Sequence, residues 1–148
     1  MLTKRTKYAL RALMYLAERQ SQGPVLIAQL AADEGMPKKF LERILLDLNK
    51  QGYLQSKKGK GGGYFIARPL EEISIGDVVR LMDGPLAPVS CVSKTAYRPC
   101  AECKDEATCG IKKVMQGVRD SISKILDNTT LADMIAQDNV MSAWAYVI

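Results

Sequence analysis

Apolar residues recur at helical spacing in three separate runs at the start of the chain. Ala9, Leu10, Leu13, Leu16 and Ala17 fall on one face of a helix that Thr3 can cap and that is predicted to run to about Arg19. Ser21-Gln22-Gly23-Pro24 breaks the pattern. A short second helix is predicted from Ile27 to Glu34, with Leu30 and Ala31 inward and a weakly held first turn, because Leu26 stands where a capping Ser or Thr is usual. Gly35 stops it. Pro37 opens a third helix to about Gln51, with Phe40, Leu41, Ile44, Leu45 and Leu48 as its buried stripe. Lys38, Lys39, Glu42 and Arg43 lie on its N-terminal, exposed side. Two helices joined by a short Gly-containing turn form the helix-turn-helix pattern.

After Gly52 the period changes. Tyr53 to Lys57 and Tyr64 to Ala67 read as two short strands joined by Lys58-Gly59-Lys60-Gly61-Gly62-Gly63, a loop in which four glycines permit positive φ and close backbone approach. Lys57, Lys58 and Lys60 give this hairpin a positive tip. A helix-turn-helix followed at once by a basic hairpin is a winged helix. Ser74 can cap a short helix from Ile75 to Asp83 that Gly84 ends. Pro85 to Cys109 carries no periodicity. A long helix from Gly110 to Asn128 follows, with Ile111, Met115, Val118, Ile122 and Ile125 spaced 4, 3, 4, 3. That 3.5-residue period describes a seam facing a second helix, here a second copy of the chain. Thr130-Leu131-Ala132-Asp133 is a capping box for a last short helix. The apolar end, Met141 to Ile148, must dock or be disordered. The expected architecture is mostly α with a small β-hairpin. It has a winged helix-turn-helix DNA-binding domain over 1–84, a Cys-rich effector loop over 85–109, and a dimerisation helix with a C-terminal segment over 110–148.

Charge sharpens this picture. Residues 1–70 hold 13 Lys and Arg against 5 Asp and Glu, whereas residues 71–148 hold 8 against 11. The N-terminal part is built to meet an anion. A major groove admits one helix, whose Lys and Arg reach phosphates or guanine edges while a Glu accepts from cytosine. Lys38, Lys39, Glu42 and Arg43 are therefore the candidate base- and phosphate-contacting set, and Lys57, Lys58 and Lys60 the candidate wing contacts. The glycine loop is not a nucleotide-phosphate loop, because no Lys-Ser/Thr pair follows it into a helix. The chain has no His, no phosphate-loop signature and no paired-carboxylate motif, which argues against an enzyme.

The remaining chemistry is sulfur. Cys91-x8-Cys100-x2-Cys103-x5-Cys109 places all four cysteines within nineteen residues. The absence of a bilayer-length apolar run or signal-peptide core predicts a cytoplasmic protein, whose thiols stay reduced, bind metal or do redox work. Thiolates are the soft ligands that iron–sulfur clusters and zinc prefer. An iron–sulfur site, a zinc site, a thiol redox switch and incidental buried thiols all fit this spacing.

Several stretches together resemble the IscR/NsrR-type (Rrf family) bacterial transcription regulators. They are Tyr8-Ala9-Leu10-Arg11-Ala12-Leu13, Pro37-Lys38-Lys39-Phe40-Leu41-Glu42-Arg43-Ile44-Leu45, Gly61-Gly62-Gly63-Tyr64-Phe65, Ile75-Gly76-Asp77-Val78-Val79-Arg80, the Cys loop and Thr130-Leu131-Ala132-Asp133. The resemblance covers about residues 1 to 135. It implies a homodimer that reads an inverted-repeat operator in double-stranded DNA, with a long crossing dimerisation helix. In many such proteins the loop before that helix carries an iron–sulfur cluster, of 2Fe–2S or 4Fe–4S type; others have none. The common pattern is three Cys with five residues between each. Cys103 and Cys109 keep that spacing, Cys91 lies eleven intervening residues before Cys103, and Cys100 is extra. The fourth ligand in some members is a His at the position of Lys112, and in others an acidic residue at the position of Lys7. A lysine replaces neither, so the resemblance points to Cys100 as fourth ligand of an all-Cys site. The alternatives are the same regulator without a cluster, controlled by thiol oxidation or by a small-molecule or protein effector, and more distantly a metal-binding interaction module that does not bind DNA.

Overall fold

The computed structural model describes residues 2–147, with side chains to residue 145. Helix α1 (Lys4–Glu18) is the centre of the N-terminal unit. Thr3 caps it, its Oγ1 accepting from the Thr6 amide at 3.3 Å. Ala9, Ala12, Leu13, Tyr15, Leu16 and Ala17 are buried. So much of α1 is covered because α2 (Ile27–Glu34), α3 (Lys38–Lys50), α4 (Ile75–Asp83), strand β2 (Gly63–Ile66) and α6 (Leu131–Val147) all pack on it. Leu26 gives α2 no side-chain cap, and Gly35 ends α2 in the left-handed conformation at φ 63°.

Two details of α3 differ from the sequence reading. Pro37 is the N-cap, with extended backbone, rather than the first helical residue. Phe40 is 38% exposed, whereas Leu41, Ile44, Leu45 and Leu48 are buried. Position 40 lies one residue off that stripe, so its ring meets Tyr8 edge-on, with centroids 5.6 Å apart, instead of entering the core.

Strands β1 (Leu54–Lys57) and β2 (Gly63–Ile66) pair antiparallel, with Leu54 opposite Ile66 and Lys57 opposite Gly63. A third element, not legible beforehand, completes the ribbon: Val25 exchanges two backbone hydrogen bonds with Tyr64, at 2.9 and 2.8 Å. Gly63 explains why this is possible. A Cβ there would stand 2.2 Å from the Val25 carbonyl oxygen, so only glycine lets the hairpin lie this close to the turn before α2.

Ser74 caps α4, and the segment between α4 and α5 (Gly110–Asp127) holds only short 3-10 turns at Ser90–Val92 and Glu106–Thr108. None of the residues of α5 is buried. Its C-terminal end is nevertheless fixed. Arg80 on α4 grips Asp127 with two hydrogen bonds, at 2.7 and 2.9 Å. The Ile75 amide donates to Thr129 O and the Leu131 amide to Ile73 O, both at 2.9 Å. Gly76 is part of this clamp, since a Cβ there would lie 2.0 Å from Asp127 Oδ1.

The capping box forms as expected, Thr130 and Asp133 each accepting from the other's amide, at 3.1 and 3.0 Å. Helix α6 (Leu131–Val147) is not short but 17 residues long. Nothing between Leu131 and Val147 breaks a helix: that stretch has no Gly or Pro. Leu131 is fully buried in the core of the winged unit. The apolar tail, expected to dock or be disordered, continues the helix with Val140, Met141 and Trp144 exposed. The side chains of Tyr146 and Val147, and Ile148 itself, fall outside the described residues.

The Arg80–Asp127 clamp gives a pH signature. The hydrogen bond from Arg80 holds the Asp127 carboxyl below its ordinary value, burial opposing it. A carboxylate depressed in the fold contributes stability above its unfolded pKa of about 3.9, and that contribution is lost as pH falls through the folded value. The pair is about a third exposed, so Asp127→Asn is expected to cost less than about 1 kcal/mol at pH 7. Urea unfolding at pH 7 and at pH 3 checks this; the gap between parent and variant should shrink at the acid pH.

Candidate nucleic-acid interface and thiol site

Lys38, Lys39, Glu42 and Arg43 are all exposed on the first two turns of α3. Two shallow grooves connect them to their surroundings. Lys38 and Glu42 share one with Lys57, Ser56, Gly63 and Tyr64 of the hairpin. Lys39, Glu42 and Arg43 line the other with Leu46, Asp47 and Lys50. Glu42 thus sits between the helix face and the wing. Lys58 and Lys60 are exposed at the hairpin tip, where Gly59 and Gly61 take φ of 87° and 75°. Among the described residues, none of these seven side chains takes part in an ion pair. Leu46, 46% exposed, and Lys50 extend the face and were missed in the sequence. Their spacing of four from Glu42 and then from each other was the available signal.

The face is anchored at its edges. Arg5 on α1 pairs with Asp47, which lines the second groove. Arg68, just after β2, stacks over Tyr53 with its guanidinium 4.3 Å from the ring centre and donates to the Gly52 carbonyl at 3.1 Å. It also donates to the Gln51 carbonyl, so the end of α3 and the base of the wing share one side chain.

The five expected seam residues of α5 divide. Ile111, Val118 and Ile125 are exposed, at 71%, 39% and 66%. Met115 and Ile122 are half-buried, and Ile122 joins Leu126, Leu2, Val79 and Leu86 around an apolar cavity of about 330 Å³ against α4. Val114, 62% exposed and absent from the expected set, completes the outward stripe.

All four cysteines line one cavity of about 590 Å³, together with Glu106, Ile111 and Lys112. Each is a free thiol; Cys100 is exposed and the others are half-buried. Different elements deliver them. Cys91 lies in the Ser90–Val92 turn, whose buried Val92 presents its carbonyl to Arg119 of α5 at 2.7 Å. The Cys103 amide donates to the Cys100 carbonyl at 3.2 Å. Cys109 is the N-cap of α5, its Sγ accepting from the Lys112 amide at 3.4 Å. Burial first, and then the neighbouring Cys109, pushes the Cys103 thiol up. Lys112 donates to Glu106 at 2.8 Å, and Tyr97 donates to the other oxygen of that carboxylate; Lys112 first and Tyr97 second hold Glu106 below the usual carboxylate range. Lys7 is exposed on α1 and does not line the cavity.

This donor set fits a thiolate-held metal or cluster in kind: four soft ligands face one space, with no His among them. It is not closed. Among the described residues, no three Cys, Asp or Glu side chains converge to metal-binding distance, so the loop has to draw in around any metal it holds.

Comparisons with known proteins agree with this architecture. The family described as "Iron-dependent Transcriptional regulator" (Rrf2) matches residues 2–137. An rrf2-like HTH-type transcriptional regulator of Rhodobacter capsulatus is 45% identical over 142 residues, covering 94% of this chain and 95% of that one. The structure of CymR, the global cysteine regulator of B. subtilis, superimposes with a TM-score of 0.76 at 25% identity, covering 93% of this chain and 97% of that one. T. potens IscR gives a TM-score of 0.73 at 28% identity, covering 93% and 88%. Among the described residues no helix is long and apolar enough to cross a membrane. The glycine-tipped hairpin, the exposed basic helix and the long α5 are thus the parts of a winged-helix DNA-binding regulator, and the chain belongs to the Rrf2 family.

Proposed function

We propose that this Rrf2 regulator acts as a homodimer on an inverted-repeat operator, and that the state of Cys91, Cys100, Cys103 and Cys109 sets its affinity. The observation that carries the DNA-reading part is the shared groove between α3 and the wing, where Lys38, Glu42 and Lys57 meet with no ion-pair partner. Arg43 and Lys39 donate to guanine edges or phosphates, and Glu42 accepts from cytosine N4. Lys57, Lys58 and Lys60 hold phosphates beside the groove. On this assignment residues 1–84 read DNA, 85–109 receive the signal and 110–148 join the protomers.

Lys60→Ala is expected to weaken binding to every duplex and to flatten the log–log salt dependence by about 0.9, one phosphate contact. Glu42→Ala is expected to relax base preference at one position of the half-site. Fluorescence anisotropy over a salt series, with a panel of half-site variants, measures both. An unchanged salt slope for Lys60→Ala removes the wing from the interface.

Dimerisation rests on α5, which carries 18 residues and buries none of them within its own chain. A second α5 laid on Ile111, Val114, Val118 and Ile125 covers the stripe. Val118→Asp is expected to give a monomer by sedimentation and to lose operator binding while keeping the helical circular-dichroism signal.

The effector reading is an iron–sulfur cluster held by the four cysteines, supported by their common cavity. When bound, such a cluster supplies an electron- and oxygen-sensitive centre at the N-terminus of α5. This chain's part is to hold it: Cys91 from a turn tied to Arg119, Cys109 from the helix cap, and Cys100 and Cys103 from the loop between. Anaerobic reconstitution is expected to load at least two irons per chain. Cys100→Ser should lose them, and adding Lys112→His in that background should restore them by supplying the ligand that the resemblance implies for some Rrf-type proteins. Fewer than two irons with unchanged DNA binding overturns the cluster and leaves thiol oxidation as the signal.

A further inference from the structure

Lys112 is placed unlike an ordinary surface lysine. Such a side chain lays its stem on the protein and keeps its ammonium in water. Here only 18% of the side chain is exposed, although Ile111 and Val114 beside it on α5 are open. Its Nζ donates to one oxygen of Glu106 at 2.8 Å and lies 5.8 Å from the centre of the Tyr97 ring. Tyr97 in turn donates to the other Glu106 oxygen. The head is thereby held from two sides, and both Lys112 and Glu106 line the cavity that the four thiols line. The Lys112 backbone amide also donates to Cys109 Sγ at 3.4 Å, which sets the base of this side chain beside sulfur.

We propose that Lys112 is a fixed counter-charge for an anionic metal–thiolate centre in this cavity, a positioning residue rather than a ligand, held in place by Glu106 and Tyr97. This rests on the four cysteines forming one site. The chemistry that needs it is general. Four neutral thiols that bind one divalent soft cation release four protons, M²⁺ + 4 RSH → [M(SR)₄]²⁻ + 4 H⁺, so a neutral site becomes doubly negative. In a partly desolvated pocket that charge is costly unless a cation stands near it. Lys112, lining the same cavity as the four cysteines, supplies such a cation beside the all-cysteine set.

Cadmium ion alone tests this on the full-length apo protein, titrated anaerobically at fixed pH and followed by sulfur-to-cadmium charge-transfer absorbance. The parent is expected to bring four thiolates to one cadmium. Lys112→Met, which keeps the stem, should weaken binding about tenfold, the scale of one unit charge acting across several ångströms of partly shielded protein. Lys112→Arg should stay within about twofold of the parent, since the charge remains. Glu106→Gln removes the opposing charge and should bind more tightly, whereas a merely structural Glu106–Lys112 strut predicts that it weakens binding as Lys112→Met does. Unchanged affinity in Lys112→Met, or equal weakening in both variants, overturns the counter-charge. A parent that fails to bring four thiolates to cadmium overturns the four-cysteine site as well, so the two failures are told apart.

Discussion

The burial of α1 holds the rest of the molecule in register. This one helix touches α2, α3, α4, α6 and the second strand of the wing, and its buried face is built from small and branched apolar residues that leave no freedom of azimuth: Ala9, Ala12, Leu13, Leu16 and Ala17. Alanines at 9 and 12 let neighbouring helices approach closely, while Leu13 and Leu16 fill the space between them. Because α3 rests on α1 through Leu41, Ile44, Leu45 and Leu48, and is pinned from outside by the Arg5–Asp47 pair, its polar face can point only outward. The wing is held to the same frame by Tyr64 bonding to Val25 and by Arg68 spanning Gly52 and Tyr53. Recognition helix and hairpin are thus one rigid surface. A rigid surface suits groove reading, since ordering long cationic side chains already costs entropy that a mobile backbone would multiply.

Helix α5 stands in the opposite condition. None of its residues is fully buried; it is clamped at its C-terminal end by Arg80, Asp127 and the backbone bonds of residues 73–75 with 129–131, and is capped by Cys109. A helix is stiff over this length, so whatever sets the direction of its start is expressed at the clamp, and the clamp is continuous with α4 and the core. In the proposed dimer the two outward stripes meet between these fixed points. The cysteine loop does not need to approach DNA to matter. On the proposed function it acts by changing how α5 leaves Cys109 and how Val92 seats under Arg119, which two such helices packed together would convert into a change in separation of the α3 faces.

Much of this was legible in the sequence because the local signals were redundant. Thr3, Ser74 and the Thr130/Asp133 pair each cap the helix that the apolar period predicts, and Gly35 ends α2 where expected. What escaped needed tertiary knowledge. A seam of period 3.5 through Ile111, Val118 and Ile125 is compatible with either Val114 or Met115 between the first two. The choice falls to Val114 because the groove against α4 takes Ile122 and Leu126 on the adjoining flank of α5, the flank on which Met115 lies. Phe40 carries the same apolarity as its neighbours and differs only in azimuth, which Tyr8 decides. The Val25 bridge is a single residue, too short to leave a period. The length of α6 was recoverable, since no Gly or Pro interrupts it; its apolar tail distracted from its helical composition.

The thiol loop shows the limit most clearly. Spacing places four cysteines within reach of one space, and the fold does gather them, but spacing carries no information about closure. Closure depends on what surrounds the sulfurs. Here those surroundings are a helix cap at Cys109, a turn anchored by Arg119, and a lysine drawn in by a carboxylate and a phenol. Each acts on the sulfurs by geometry or charge, which is how outer groups commonly set what an inner set of ligands will bind. Even a complete donor count therefore leaves the choice between metal and oxidant to the groups around it. In this chain Lys112 is one of those surrounding groups.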